Sequence, residues 1–218
     1  MTDLPTIAIL GGTGKEGPGL AMRWANAGYP VIIGSRQADK AEATAAELNE
    51  KLGLDTVRGL PNEEAARVAD ISVLTVVQSA HQAALESLKD ALQGKLLVDA
   101  TARVSFPDAV APEPPAAARI AQDILGPDVA VVAAFQNVPA SALKKDLDQD
   151  VATDVLVCAD DQGAADRVVE LAEAGGMRAF YAGGLDNAVV VEGITALLIA
   201  INRRYSGHGT IQISGVTK

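Results

Sequence analysis

The stretch TIAILGGTGKEGPG, residues 6–19, decides the fold. An apolar run, residues 7–10, leads into Gly12, Gly14 and Gly17, which have the spacing G-x-G-x-x-G. Because the motif follows a strand-like run and precedes a helix-like one, it is typical of a loop that holds a dinucleotide pyrophosphate at a helix N-terminus. A glycine-rich turn without a ligand is the alternative.

Composition narrows the class of protein. Of 218 residues, 49% are hydrophobic but 3% are aromatic, so the core must come from small aliphatic side chains, which suit buried parallel strands. A net charge of −10 disfavours nucleic-acid binding. The single cysteine, Cys158, excludes an intramolecular disulfide and a cysteine-based metal cluster, and indicates a small buried side chain.

No N-terminal stretch reads as a signal peptide, and no metal-ligand spacing is present. The apolar run 188–201 is interrupted by Glu192 and is too short to cross a bilayer. We therefore expect a cytoplasmic protein without a membrane partner.

Strand-like and helix-like segments alternate with short connections, which predicts an α/β protein with a doubly wound parallel sheet. The predicted strands after the first are 29–34, 56–58, 71–77, 95–99 and 129–134. The predicted helices include 38–52, 79–92 and 116–125, and Asn62 is expected to cap a further one. The proline-rich stretch 100–115 follows a strand, so it is either a substrate-side loop or a plain surface loop.

The pattern predicts a dinucleotide-binding Rossmann domain over residues 1–137 and a small C-terminal α/β domain over residues 138–218. The second unit ends in a helix, 188–205, that is apolar nearly all round. Such a helix is expected to be buried between domains or in a dimer interface.

The end of the second strand indicates which dinucleotide binds. An acidic residue there is typical of NAD sites, whereas this chain has Ser35 and Arg36, with Lys40 one helical turn later. A hydroxyl and two cations suit the 2′-phosphate of NADP(H), and Thr13 is near enough to contribute. Alternatively, Arg36 and Lys40 are ordinary surface charges.

Candidate acid–base groups are few. His81 and His208 could donate a proton, although a histidine without a catalytic role is the commoner case. No Ser-His-Asp order and no Tyr-x-x-x-Lys pair is present. This shortage favours hydride transfer between two redox cofactors, because proximity of the two rings then supplies most of the rate.

Five segments resemble the NADPH-dependent coenzyme F-420 reductases. They are IAILGGTGKEGPGLAMRWANAGYPVIIGSRQADKAE (7–42), DISVLTVV (70–77), VVAAFQNVPA (131–140), DVLVCADD (154–161) and VVEGITALLIAINRRYSGHG (190–209). The likeness covers nearly the whole chain in order.

The resemblance implies a dimer in which hydride passes between C4 of the nicotinamide and C5 of an 8-hydroxy-5-deazaflavin, with the two rings stacked in a cleft between the domains. The NADP(H) residues that it implies are Gly12, Thr13, Gly14, Lys15, Glu16, Gly17, Ser35, Arg36, Lys40, Val76 and Val77. Those on the deazaflavin side are Ala100, Thr101, Gln136, Asn137, Val138, Pro139 and Gly207. The catalytic candidates are His81, Gln136 and His208.

Two departures fall on the deazaflavin side. The family often has a histidine where this chain has Gln136, which can hydrogen-bond a deazaflavin carbonyl but cannot become a cation. The stretch DATARVSFPD, 99–108, replaces a more hydrophobic segment. Two alternatives stay open: an NADPH-dependent reductase of another acceptor (a flavin, an imine or a small carbonyl compound), with a histidine as proton donor, and a non-catalytic NADPH-binding protein.

Overall fold

The computed structural model describes residues 4–216, and its strands form one sheet covered by helices on both faces. The strands are β1 Ile7–Leu10, β2 Val31–Ser35, β3 Arg58–Pro61, β4 Ile71–Leu74, β5 Leu96–Asp99, β6 Ala130–Ala133, β7 Asp154–Ala159 and β8 Arg178–Tyr181. The helices are α1 Gly17–Asn26, α2 Ala38–Leu52, α3 Asn62–Val68, α4 Gln78–Leu92, α5 Ala117–Leu125, α6 Gln162–Ala174 and α7 Ala188–Tyr205. A short 3-10 helix, Leu185–Asn187, precedes α7.

The strand order is β3-β2-β1-β4-β5-β6-β7-β8. All neighbours are parallel except β6 and β7, which are antiparallel. The predicted doubly wound α/β fold is confirmed. The order reverses between β1 and β4, where open sheets of this kind form a ligand crevice at the carboxyl ends of the strands.

Side chains of one strand alternate between two cores. In β1, Ile7 and Ile9 pack into a core with α1, α2 and α6, whereas Ala8 and Leu10 pack into a second core with α3, α4 and α5. Because both faces are covered, an uninterrupted apolar run is what this strand requires.

Two local predictions were wrong. The apolar run 71–77 is a strand only to Leu74, after which the chain leaves the sheet. Asn62 does not cap α3, because Pro61 is the N-cap residue and no side-chain capping bond forms there.

Cys158 is buried as predicted, and burial raises the pKa of its thiol to about 11.

The predicted boundary at residue 137 falls between β6 and β7. Because β7 pairs with β6, the C-terminal segment extends the first sheet and does not form one of its own. The division into domains 1–137 and 138–218 stays a prediction.

Arg23, in α1, organises the connection between β6 and β7. Its buried guanidinium donates to carbonyl oxygens of this connection, including those of Leu143 at 3.0 Å, Gln149 at 2.7 Å and Lys145 at 2.5 Å. Desolvation lowers the pKa of Arg23, and nearby Asp150 partly opposes this. The contact joins the helix after the glycine loop to the segment that follows residue 139.

Helix α7 is less buried than its composition predicts. Val190, Leu197, Ile201 and Tyr205 are exposed by 62%, 63%, 48% and 75%. Residues 185–205 have the length and mean hydropathy, 1.5, of a membrane span, although sequence analysis excluded one on length. The carboxylate of Glu192, in the middle of this helix, is buried against the protein, so one face of α7 packs on the fold.

Candidate active site

The glycine loop connects β1 to α1 in the predicted conformation. The Gly12 amide donates to the carbonyl oxygens of Ile9 at 3.1 Å and Gly34 at 2.9 Å, which ties the loop to the end of β2. Helix α1 then begins at Gly17 with Pro18 in its first turn and no side-chain cap. The Gly19 and Leu20 amides donate to the carbonyl oxygen of Glu16, and Pro18 has no amide hydrogen, so it is mainly the helix dipole that favours an anionic ligand at this end.

The three motif glycines differ in what they require. A Cβ on Gly12 would lie 2.6 Å from the carbonyl oxygen of Ile9, and one on Gly17 would lie 2.6 Å from Cα of Gly12. Both are therefore needed by the fold. A Cβ on Gly14 would meet nothing closer than 3.5 Å, so nothing in the protein itself demands glycine there. The close approach of a ligand to the backbone would explain why glycine occupies this position.

Two residues from other elements fix the loop from outside. The Asn62 side chain accepts a hydrogen bond from the Gly11 amide at 3.0 Å. Val76, in the turn after β4, packs so closely over Gly11 that a Cβ there would lie 2.7 Å from its Cγ1. The turn predicted to flank a nicotinamide, Val76 and Val77, is thus beside the glycine loop, and Val77 is 69% exposed.

The residues predicted to bind a 2′-phosphate lie at the end of β2. Ser35 is buried and its Oγ accepts from the Gln37 amide at 3.2 Å. Arg36 and Lys40 are exposed, and within residues 4–216 neither forms a salt bridge. Both cations are therefore available to an anion. Thr13 is half-buried and Lys15 is exposed in the adjacent loop.

Glu16 has an unusual environment for a carboxyl group. Its Oε1 is sealed from solvent without a hydrogen-bond partner, and desolvation raises the pKa of the group to about 8. The neutral acid is therefore the main form at pH 7, which removes a negative charge from a loop predicted to hold phosphates.

The predicted second pocket is built around Asp99, at the end of β5. Its Oδ2 contacts His81 Nε2 at 2.7 Å, and its Oδ1 accepts from the Thr101 amide at 2.9 Å. Its backbone carbonyl oxygen accepts from Gln136 Nε2 at 2.9 Å. The sequence pattern did not single out Asp99 as a site residue, because a single acidic residue at a strand end has no distinctive spacing.

His81 is not placed as a proton donor. Its side chain is buried and already engaged by Asp99. His208 is exposed and borders a cavity of about 170 Å³ that Pro139 and Lys145 also line. The two histidines therefore have different surroundings, and neither adjoins the glycine loop through any described contact.

The proline-rich stretch forms a loop fastened at its base by Glu192. This carboxylate accepts from the Arg103 amide at 3.0 Å, from Arg103 Nε at 3.1 Å and from the Ala117 amide at 2.6 Å. Burial raises the pKa of Glu192, and these donors oppose the rise. The loop, which runs from β5 to α5, is thus hydrogen-bonded to α7 near both of its ends, and Ala100 at its start is buried.

The third part of the predicted pocket depends on Asp154, at the start of β7. Its backbone oxygen accepts from Asn137 Nδ2 at 2.8 Å, and its carboxylate binds Arg178 through two bonds of 2.8 and 2.6 Å. The same carboxylate accepts from the Ile213 amide at 2.5 Å, so the tail beyond Gly207 is tied to Asn137.

Cavity volume does not single out this region. A groove of about 1010 Å³ opens at the amino ends of the parallel strands, lined by residues such as Asp70, Lys95 and Asp128, and contains none of the predicted site residues. Across residues 4–216, no group of three or more His, Cys, Asp or Glu side chains is placed to hold a metal ion. The site is thus identified by its loop chemistry.

A family model and two relatives that match nearly the full chain carry the same description. A family model described as NADP oxidoreductase coenzyme F420-dependent matches residues 6–103. An F420-dependent NADP reductase of Methanothermobacter marburgensis is 44% identical over 208 residues, which are 90% of this chain and 92% of that protein. One from Methanocaldococcus jannaschii is 39% identical over 215 residues, or 94% and 95% of the two chains.

A solved structure supports the fold alone. The chain superposes on a pyrroline carboxylate reductase of Plasmodium falciparum, solved with NADP bound, with a TM-score of 0.60 at 16% identity. The match covers 94% of this chain and 65% of that one.

We expect Gly14→Ala to separate binding from folding. A Cβ at this position has room, so the melting temperature should stay within about 2 °C of the unaltered protein, which corresponds to less than about 1 kcal/mol. Dinucleotide affinity should fall on the order of tenfold, because the added methyl group keeps the phosphates from the backbone. Calorimetric titration with NADPH measures the second effect. Gly17→Ala is the matched control and should lower the melting temperature, because its Cβ meets Gly12.

We expect Glu16→Gln to change the pH dependence of stability. The raised pKa means that the folded protein keeps a proton that the unfolded chain releases above about pH 4.5, so Glu16 destabilises the fold progressively between pH 4.5 and about 8. The variant should therefore match the unaltered protein near pH 4.5 and be more stable by a margin that grows to several kcal/mol at pH 8.5, since each unit of pKa shift is worth about 1.4 kcal/mol. Denaturant unfolding across this range is the measurement. A difference that does not vary with pH would contradict the raised pKa.

Proposed function

We propose that this chain, which belongs to the F420-dependent NADP reductase family, transfers a hydride between NADP(H) and coenzyme F420. The observation that carries the proposal is the Gly12–Gly14–Gly17 loop near two cations, Arg36 and Lys40, that form no salt bridge with any residue the structure describes. In the reductive direction NADPH gives a hydride from C4 of its nicotinamide to C5 of the deazaflavin, and a solvent proton completes the reduced ring. NADPH is thereby oxidised to NADP⁺, which then dissociates.

The two cofactors are assigned to two parts of the same sheet edge. The glycine loop and the end of β2 would hold the pyrophosphate and the 2′-phosphate, with the nicotinamide beside Val76. The deazaflavin would lie against the segments after β5 and β6, which include Thr101 and Gln136. Stacking of the two rings in the cleft is part of this proposal, since hydride transfer requires close, aligned reacting carbons.

The surroundings of the histidines favour this reaction over reduction of an imine or a carbonyl compound. Those reactions need a positioned proton donor for the product, whereas His81 is buried against Asp99 and His208 is exposed in the tail. Hydride transfer between two cofactors depends mainly on proximity and has no such requirement.

The protein with NADPH and oxidised F420 should bleach the deazaflavin absorbance near 420 nm, because reduction interrupts the conjugation of the ring. A stopped-flow or steady-state absorbance assay measures this. The same assay with a flavin, an imine and a small carbonyl compound tests the alternative acceptors. Tight NADPH binding without turnover of F420 would refute the proposal and leave a binding protein as the explanation.

Arg36→Asp should weaken NADPH binding far more than NADH binding. Losing a charge-assisted contact to the 2′-phosphate costs on the order of 1.5–3 kcal/mol, or about one to two decades in affinity, and NADH lacks this phosphate. Calorimetric or fluorescence titration with both nucleotides measures the difference. Lys51→Asp, at the far end of α2, makes the same charge change away from the site and should leave both affinities within about twofold. Equal weakening of both nucleotides by Arg36→Asp would contradict the role given to Arg36.

We further propose that two copies of the chain associate through α7 and act in the cytoplasm. The exposed apolar side chains of α7 continue onto the loop it carries, where Phe106 and Val110 are 64% and 56% exposed. A stripe of this kind on one helix suits a two-fold contact, in which the same patch meets itself. The resemblance to the family implies a dimer as well.

Leu197→Asp should convert the dimer into a monomer, because it places a charge at the centre of the apolar stripe. Analytical ultracentrifugation measures the mass in solution. Val68→Asp, at another exposed apolar position that is 55% exposed on α3, is the control and should leave the mass unchanged. A monomeric unaltered protein would contradict the proposed dimer.

A further inference from the structure

Asp99 holds two residues of the second pocket in a fixed orientation. Its carboxylate bonds to His81 on one side and to the Thr101 amide on the other, and its backbone oxygen accepts from Gln136. All four residues are at most 6% exposed. The Gln136 main chain is held as well, because its carbonyl oxygen accepts from Thr195 Oγ1 at 2.8 Å.

These bonds determine which polar atoms are left over. Gln136 Nε2 donates one of its two N–H groups to Asp99, and Oε1 of the same side chain can only accept. Thr101 keeps its hydroxyl, which can donate. Within the described part of the chain, both Gln136 Oε1 and Thr101 Oγ1 are sealed from solvent and lack a hydrogen-bond partner. Buried polar atoms of this kind are uncommon and costly, so each calls for a partner that a ligand can bring.

We propose that Gln136 and Thr101 recognise the imide edge of the deazaflavin, the C(=O)–NH–C(=O) side of its pyrimidine ring. Gln136 Oε1 accepts from the ring N3–H, and Thr101 Oγ1 donates to a neighbouring ring carbonyl. Both residues bond to Asp99, and an acceptor together with a donor complements an N–H beside a C=O. This inference rests on the proposed function. It further identifies the edge of the deazaflavin ring that the protein recognises.

Two expectations from the sequence change as a result. Gln136 is assigned to the ring N3–H and not to a deazaflavin carbonyl, because its unpartnered atom is Oε1, which can only accept. His81 is a positioning residue: it acts through Asp99 and holds Thr101 and Gln136 in place. Because Gln136 Oε1 and Thr101 Oγ1 are sealed from solvent, the ring can reach them only if the segments that surround them move.

The test uses the ribityl 8-hydroxy-5-deazaflavin core and its N3-methyl derivative. With the unaltered protein, N3-methylation should raise the deazaflavin KM about tenfold and leave the KM for NADPH unchanged, because one hydrogen bond is replaced by a clash. In Gln136→Met the KM for the parent core should rise similarly, and methylation should then have little further effect. Thr101→Val should raise the same KM by about three- to tenfold.

Controls separate recognition from folding. Ser72 Oγ, in β4, is also buried without a partner, so Ser72→Ala removes a comparable atom elsewhere and should leave the deazaflavin KM unchanged. His81→Asn should raise the deazaflavin KM with a smaller effect on kcat, and should leave the pH profile of kcat unchanged. A shifted pH profile would assign proton transfer to His81 and overturn its positioning role.

The outcomes distinguish this inference from the proposed function. Equal KM values for the parent and N3-methyl cores overturn recognition of the imide edge, while hydride transfer stands. A buried water would then be the hydrogen-bond partner of Gln136 Oε1 and Thr101 Oγ1. If no deazaflavin is reduced, the proposed function fails. Calorimetric binding of the two cores, which needs no turnover, still decides whether N3–H is read.

Discussion

The close approach of Gly17 to Gly12 is the contact on which the site depends. With no Cβ on either residue, the first turn of α1 packs directly on the loop that leaves β1, and the loop in turn bonds to the end of β2. The same helix carries Arg23, whose guanidinium collects carbonyl groups from the connection after β6. A steric constraint at one position thus sets the direction of α1, and α1 sets the path of a segment more than a hundred residues later.

The two halves of the site have opposite electrostatic character. The nucleotide half is open, with exposed Arg36 and Lys40 on a chain of net charge −10. Its attraction for phosphate is therefore local and screened by salt. The second half has neutral polar atoms sealed within the protein, around the buried Asp99–His81 pair. Charge suits capture of an anionic cofactor, whereas sealed donors and acceptors suit discrimination between flat rings of similar size.

Much of the fold could be predicted, because local periodicity carries it. Helices α2 and α7 have the predicted bounds, and the glycine spacing placed the loop correctly. The strand predicted over residues 71–77 is too long, because the apolar side chain of Val76 packs over Gly11 and does not continue the strand. Asn62, Arg23, Asp99 and Glu192 escaped prediction since each acts on residues distant in sequence, and a lone polar residue has no spacing that reveals its partner.

The bonds of Asp154 bear on the order in which the site can be assembled. Asp154 joins Asn137, beside the second pocket, to Ile213 in the tail. A chain emerging from the ribosome can complete the strand pairs of β1 and β2 and the contacts of Gly11 and Gly12 early, since those partners all lie within the first 76 residues. The second pocket must wait until the tail has been released. A nascent chain can therefore acquire its nucleotide-binding half well before it acquires the half that would face the other ring.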